Sequence, residues 1–389
     1  MTYKYQLIVL GNYALYKQDI VDSFFARITE LGLDADAFVL LNEVNFDQQY
    51  QARNPSVCVY FSNGGLFPDI DILKLLINDA VFLIPVVPDL NHYKSLTPQE
   101  LHFINGTELG DSFGVNTITN KLLEGLSLLR QSRRLFISYR RVESRAVAIQ
   151  LYELFDQKGF DVFLDTHSLQ AGDYFQDELW HRLVDTDVVV LLDTPGFLES
   201  YWTEQELAKA SGMGICILQV IWPGHQQAPY SALCTPLYLS QADFENDTSK
   251  QELATLNLKA LAGIASDTES LRARSLAGRQ DNLIQEFTST ASAHNISTYL
   301  QPEKFLIMTN KDGQDIALIP TVGVPQSFTF SEVEELVKRI RDSKMPSIYL
   351  LYDHRNIVKK WETHLSWLNK HLPVKARRIV EIESWIENL

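Results

Sequence analysis

Apolar residues in this chain come in unbroken blocks separated by amphipathic stretches. "YQLIVLG" (5–11), "SVCVYFS" (56–62) and "VFLIPVV" (81–87) open the pattern. "LFISY" (135–139), "DVFLD" (161–165), "DVVVLLD" (187–193) and "GICILQVIW" (214–222) continue it, and "KFLIM", "DIALIP", "SIYLLYD" and "RRIVEI" close it. Continuous apolar runs bounded by polar residues mark strands covered on both faces of a parallel sheet. Between them, apolar residues recur three and four apart, which predicts helices. Ile20, Phe24 and Ile28 line a helix from Lys17 to Leu31, and Ile72, Leu75 and Leu76 a second. Ile118, Leu122, Leu126 and Leu129 line a third, from Thr117 to Arg130. Val147, Leu151, Leu154 and Phe155 line a fourth that stops at Gly159, a residue suited to a helix C-cap. Further helices are expected around Phe175, Leu179 and Leu183, from Trp202 to Ser211, over about Lys250 to His294, and around Trp361, Leu365 and Leu368. Ser331 and Glu334 have capping-box spacing for a helix from Glu332 to Arg341. The expectation is an α/β fold in three segments, 1–130, 133–295 and 300–389, without a sequence repeat between them.

Composition narrows the function. The chain has 389 residues, 46% of them hydrophobic, a mean hydropathy of −0.10, a formal charge of −15 and a pI near 5.1. Such acidity argues against a general nucleic-acid binder, which needs a broad basic face. Cys58, Cys216 and Cys234 are far apart and have no metal spacing, so no metal site is expected. Cys58 and Cys216 sit in apolar runs and read as buried reduced thiols, which fits a reducing cytosol. The first apolar stretch is too short for a signal peptide, and no run is long enough to span a bilayer. A cytoplasmic protein with no membrane partner is expected. A Gly-x-x-x-x-Gly-Lys-Ser/Thr phosphate loop is missing from the sequence.

Against that acidity, "RRLFISYRRVESR" (133–145) places five arginines in thirteen residues. Parallel α/β sheets bind ligands at the carboxyl ends of their strands. In the middle segment those ends carry Ser138, Tyr139, Arg140 and Arg141, then Asp165 with the loop through Gly172, then Thr194 to Ser200. Trp202 and Glu206 follow, four apart and so on one helix face. Paired arginines, an indole and a carboxylate suit a nucleotide: phosphate on guanidinium, ring on indole, ribose hydroxyls or a developing cation on carboxylate. Arg133 and Arg134 lie at the far end of the strand and are expected to be surface charges at a domain junction; Arg145 is assigned to neither group. Asp353 to Asn356, which end a strand, read as a surface turn.

Taken together, "FISYRR", "GFDVFLDTHSLQAGDYFQDEL", "DVVVLLDTPGFLESYWTEQEL" and "ICILQVIWP" resemble a bacterial Toll/interleukin-1 receptor (TIR) domain of the NAD-cleaving type. The resemblance covers about residues 133–240, in family order. It implies a flavodoxin-like parallel sheet, flanked here by N- and C-terminal α/β segments of unknown role. "DTHSLQAGD" resembles the family's BB loop. "WTEQEL" resembles the motif whose Trp-x-x-x-Glu carries the catalytic glutamate, which maps onto Trp202 and Glu206; Thr203 stands where many members have cysteine. The resemblance implies an NAD nucleosidase, with Glu206 catalytic and with Ser138, Tyr139, Arg140, Arg141, Asp165, Gly172 and Trp202 binding the substrate. NAD is then the substrate, and no cofactor is needed. The products are nicotinamide with ADP-ribose or a cyclic form. The implied partners are other TIR domains, with an activating protein or nucleotide as trigger, in antiviral defence or signalling. Two rival readings are a TIR scaffold that only binds other TIR domains, and a nucleotide sensor that binds without cleaving.

Overall fold

The computed structural model describes residues 4–52, 54–109, 112–165, 181–197, 207, 210–246, 251–301, 304–340, 347–353, 357 and 359–388. The chain divides into two compact units, Met1–Gln131 and Ser132–Leu389. The first unit is built on β1 (Tyr5–Gly11), α1 (Lys17–Glu30), β2 (Phe38–Leu41), β3 (Ser56–Phe61), α2 (Ile70–Asn78), β4 (Phe82–Val87), β5 (Thr107–Glu108) and α3 (Ser112–Gly125). All strand pairs are parallel, in the order β2-β1-β3-β4-β5. Ile20, Phe24 and Ile28 are buried along one stripe of α1, as their four-residue spacing requires. Gly11 ends β1 at φ +99, and a Cβ there would overlap the Phe61 carbonyl of β3, so glycine alone lets the chain turn off the sheet at that point.

The second unit contains two sheets. Its first holds β6 (Arg133–Ser138), β7 (Phe160–Asp165), β8 (Val188–Asp193), β9 (Cys216–Ile221) and β10 (Thr235–Tyr238). The order is β10-β9-β8-β6-β7, all parallel, which repeats the order of the first unit's sheet. This is the flavodoxin-like arrangement. α4 (Arg141–Gln157) follows β6 and stops two residues before Gly159, which sits at φ +80. α5 (Leu258–Ala293) is capped by Asn257, whose Oδ1 accepts the Ala260 N–H at 2.9 Å. The last sheet runs β11 (Thr298–Leu300), β12 (Leu306–Thr309), β13 (Asp315–Pro320), β14 (Ser347–Tyr352), β15 (Lys375–Arg378) in simple sequence order. Its first two pairings are antiparallel and its last two parallel. Three helices accompany it: α6 (Ser327–Ile340), α7 (Lys359–His371) and α8 (Ile382–Glu387).

Several sequence expectations need correction. Arg133 belongs to β6 and is buried, with Nη1 2.6 Å from Glu269 Oε1 of α5. Arg134 is ion-paired with Asp185. Neither is a surface charge; a strand end covered by a helix must pair any charge it buries. "RRIVEI" is a strand only as far as Arg378. Ile379, Ile382 and Ile386 are spaced three and four apart and form a buried helical face instead. The helix expected from Glu332 starts at Ser327, because buried Phe330 extends the face of Val333 and Val337 upstream; exposed Ser331 lies within the helix rather than at its cap. The helix expected over Thr117–Arg130 spans Ser112–Gly125, and the chain beyond it turns at Ser127 with φ +61.

Candidate functional site

The strand order of the second unit's first sheet reverses between β6 and β8. Their carboxyl ends therefore open onto the crevice where doubly wound sheets bind ligands. Arg140 leaves β6 at this point and caps α4. Its carbonyl accepts the Glu143 and Ser144 N–H groups, each at 2.9 Å, which fixes the backbone. Its guanidinium Nη1 donates to Glu143 Oε1 at 2.5 Å. The other oxygen of Glu143 accepts from the Thr194 hydroxyl and from the Gly196 N–H at 3.2 Å. One carboxylate thus joins the segment after β6 to the segment after β8, and both its oxygens are satisfied. The Arg140 side chain is 30% exposed. No described residue hydrogen-bonds its Nε or Nη2.

A second polar network adjoins the first along the chain. Asp193, the last residue of β8, is fully buried. The Gln219 amide donates to its Oδ2 at 2.8 Å, and His225 Nε2 stands 3.3 Å from its Oδ1. Gln227 reaches Gln219 Oε1 at 3.0 Å and the Ser231 carbonyl at 2.9 Å. Burial raises the Asp193 carboxyl above the ordinary carboxylate range, opposed by the Gln219 amide and by His225. Burial, with the Asp193 charge nearby, pushes the Cys234 thiol up to about 12, so it is not a nucleophile at neutral pH. Among the described residues no group of three or more His, Cys, Asp or Glu is placed to hold a metal ion.

The residues singled out from sequence fall in different places. Ser138 and Tyr139 are buried at the end of β6, Arg140 is half-buried at the crevice, and Arg141 is exposed. Arg145 is exposed and lies 3.9 Å from Glu252. Asp165 ends β7. Gly172, Trp202 and Glu206 lie outside the described residues. Glu143, Asp193 and His225 were not singled out from sequence, and Gly196 only as part of the stretch Thr194 to Ser200. Only Glu143 left a signal there, as an acid three residues after Arg140 at a helix start; the partners of the others are brought in from other strand ends.

Residues 135–256 match the family model of the TIR domain. This segment is a TIR domain. The match runs from Leu135 within β6 past β10 and includes the positions of Trp202 and Glu206. No curated protein matches the chain significantly. Among solved structures, a two-component response regulator/GGDEF domain protein aligns at 8% identity over 64% of this chain and 94% of its own, with a TM-score of 0.28. A second protein of that description aligns at 10% identity over 63% and 93%, with a TM-score of 0.26. Proximal thread matrix protein 1 from the mussel byssus aligns at 10% identity over 70% and 96%, with a TM-score of 0.19. At such scores these alignments say nothing of function. No helix among the described residues is long and apolar enough to cross a membrane.

Proposed function

We propose that the TIR domain cleaves the bond between nicotinamide and ribose in NAD. The observation that carries this reading is the family match over 135–256, which encloses a Trp202-x-x-x-Glu206 motif. The half-exposed Arg140 at the crevice between β6 and β8 is what a dinucleotide would need for its diphosphate. Trp202 stacks on a ring of the substrate, and Ser138, Tyr139, Arg141, Asp165 and Gly172 complete the binding residues.

Nicotinamide leaves as a neutral ring once the glycosidic electron pair returns to its cationic nitrogen, so it needs little general-acid help. The barrier is the oxocarbenium-like ribosyl cation. The Glu206 carboxylate stabilises that charge and holds the ribose hydroxyls. Water attack at the anomeric carbon gives ADP-ribose and one proton; attack by the adenine of the same molecule gives a cyclic product and one proton. Other TIR domains, engaged through the loop Thr166–Asp173, assemble the active form, as a defence effector or signal producer. The test is to incubate the purified chain with NAD, with and without a crowding agent, and separate the products by chromatography. Nicotinamide release is expected, and stronger under crowding. A folded, assembled chain that releases none is the scaffold of the rival reading.

A further inference from the structure

Arg140 carries the charge at the crevice, but an arginine side chain has four rotatable bonds and needs a reason to stay there. Glu143 grips only Nη1, and its own second oxygen is anchored by the Thr194 hydroxyl and the Gly196 N–H. The guanidinium lies against Gly196: a Cβ at that position would overlap Arg140 Nη1 and stand 2.6 Å from Glu143 Oε1. The Gly196 backbone is not in the left-handed region, so the missing side chain is not explained by a turn. What the glycine provides is the space the guanidinium occupies. With Nη1 held by Glu143 and the guanidinium backed by the Gly196 backbone, Nε and Nη2 remain for a phosphate contact.

We propose that Glu143 and Gly196 are positioning residues that hold Arg140 as the diphosphate clamp of the TIR domain. This rests on the reading of NAD as substrate. Two effects of Glu143 oppose each other. Its charge lowers the pull of Arg140 on an anion, while its grip removes the rotamer freedom that anion binding would otherwise have to freeze. The grip outweighs the charge. Thr194 makes the grip depend on the segment after β8, the same segment that leads towards Trp202 and Glu206 in sequence.

Gly196→Ala isolates the grip, because it changes no charge. The atoms in its way end flexible side chains, so the fold should survive while Arg140 is displaced. In the full chain, Gly196→Ala should raise the KM for NAD and the Kd for ADP-ribose roughly tenfold or more, the loss expected for a hydrogen bond to a charged group. It should leave adenosine binding at its wild-type value and kcat within about twofold, a split that marks lost ground-state binding. In an Arg140→Ala background, Gly196→Ala should add nothing further, whereas a merely structural role for Gly196 would persist there. Glu143→Ala should also weaken ADP-ribose binding. If it tightens binding instead, Glu143 only neutralises Arg140 and the proposal is overturned. A wild type that binds ADP-ribose but releases no nicotinamide loses the reaction while the clamp stands. A wild type that releases nicotinamide, beside a Gly196→Ala variant with unchanged KM, overturns the clamp alone.

Discussion

The first unit and the TIR domain fold the same sheet, strand for strand, and put different chemistry at its reversal point. In the TIR domain the point between β6 and β8 is bridged by Glu143, which ties down a partly exposed arginine. In the first unit the corresponding point lies between β1 and β3 and is bridged by Asp69. Its oxygens accept the Gly11 N–H at 2.6 Å and the Tyr60 hydroxyl at 3.0 Å. Both partners are neutral and Asp69 is buried, so this carboxylate is used up inside the protein. Lys17, on α1, donates to the Gly11 carbonyl at 2.5 Å. A second difference lies behind the sheets. The TIR sheet is tied to α5 by buried charges, Arg133 to Glu269 and Arg272 to Asp187 at 2.7 Å. Strand order therefore decides where a site could be, and the side chains at the reversal decide whether one exists.

The contrast can be broken at its strongest point first. Arg272 and Asp187 are both fully buried, so Arg272→Ala removes the guanidinium that faces the buried Asp187 carboxylate. The expected loss is about 3–5 kcal/mol in denaturant unfolding of the full chain; a loss below 1 kcal/mol would mean the pair does not tie α5 to the sheet. Gly11→Ala forces a side chain into φ +99 against the Phe61 carbonyl, and should destabilise by about 1–3 kcal/mol while nicotinamide release stays at wild-type level. Lost turnover in that variant, with its fold intact, would put chemistry in the first unit and end the contrast. The smallest effect concerns Asp193. An acid with a raised pKa in the fold stabilises fully below its unfolded pKa of about 3.9 and loses that contribution as pH rises through the folded value. Wild type should therefore lose stability relative to Asp193→Asn as pH climbs above about 3.9. A pH-independent difference between the two would show that the Asp193 pKa is the same folded and unfolded, so that burial does not raise it.

Unbroken apolar runs such as "DVVVLLD" identify buried strands because few other structures tolerate them, and the fold class follows from their alternation with helical stripes. Short or half-polar strands carry no such mark, which is why Phe38–Leu41, Thr107–Glu108 and Thr235–Tyr238 were not legible. Spacing rules work within one element. They locate Arg140 at a strand end, and they could have paired it with Glu143. The strand-end rule puts Thr194 on the same rim, but no spacing rule pairs it with Glu143, which its hydroxyl meets across 51 residues of sequence. The same blindness made Arg133 look exposed, because its partner Glu269 is 136 residues away.

The central claim is that the TIR domain is an enzyme acting through Glu206. The most direct measurement is the kcat for nicotinamide release by wild type, Glu206→Gln and Glu204→Gln under assembling conditions. The glutamine is nearly isosteric and removes only the charge that stabilises the ribosyl cation, so the account predicts a kcat about 10²–10³-fold lower for Glu206→Gln. Glu204 lies two residues from Trp202, off the motif's spacing, and Glu204→Gln should keep wild-type kcat. Robust release by Glu206→Gln beside an inactive Glu204→Gln would contradict the account.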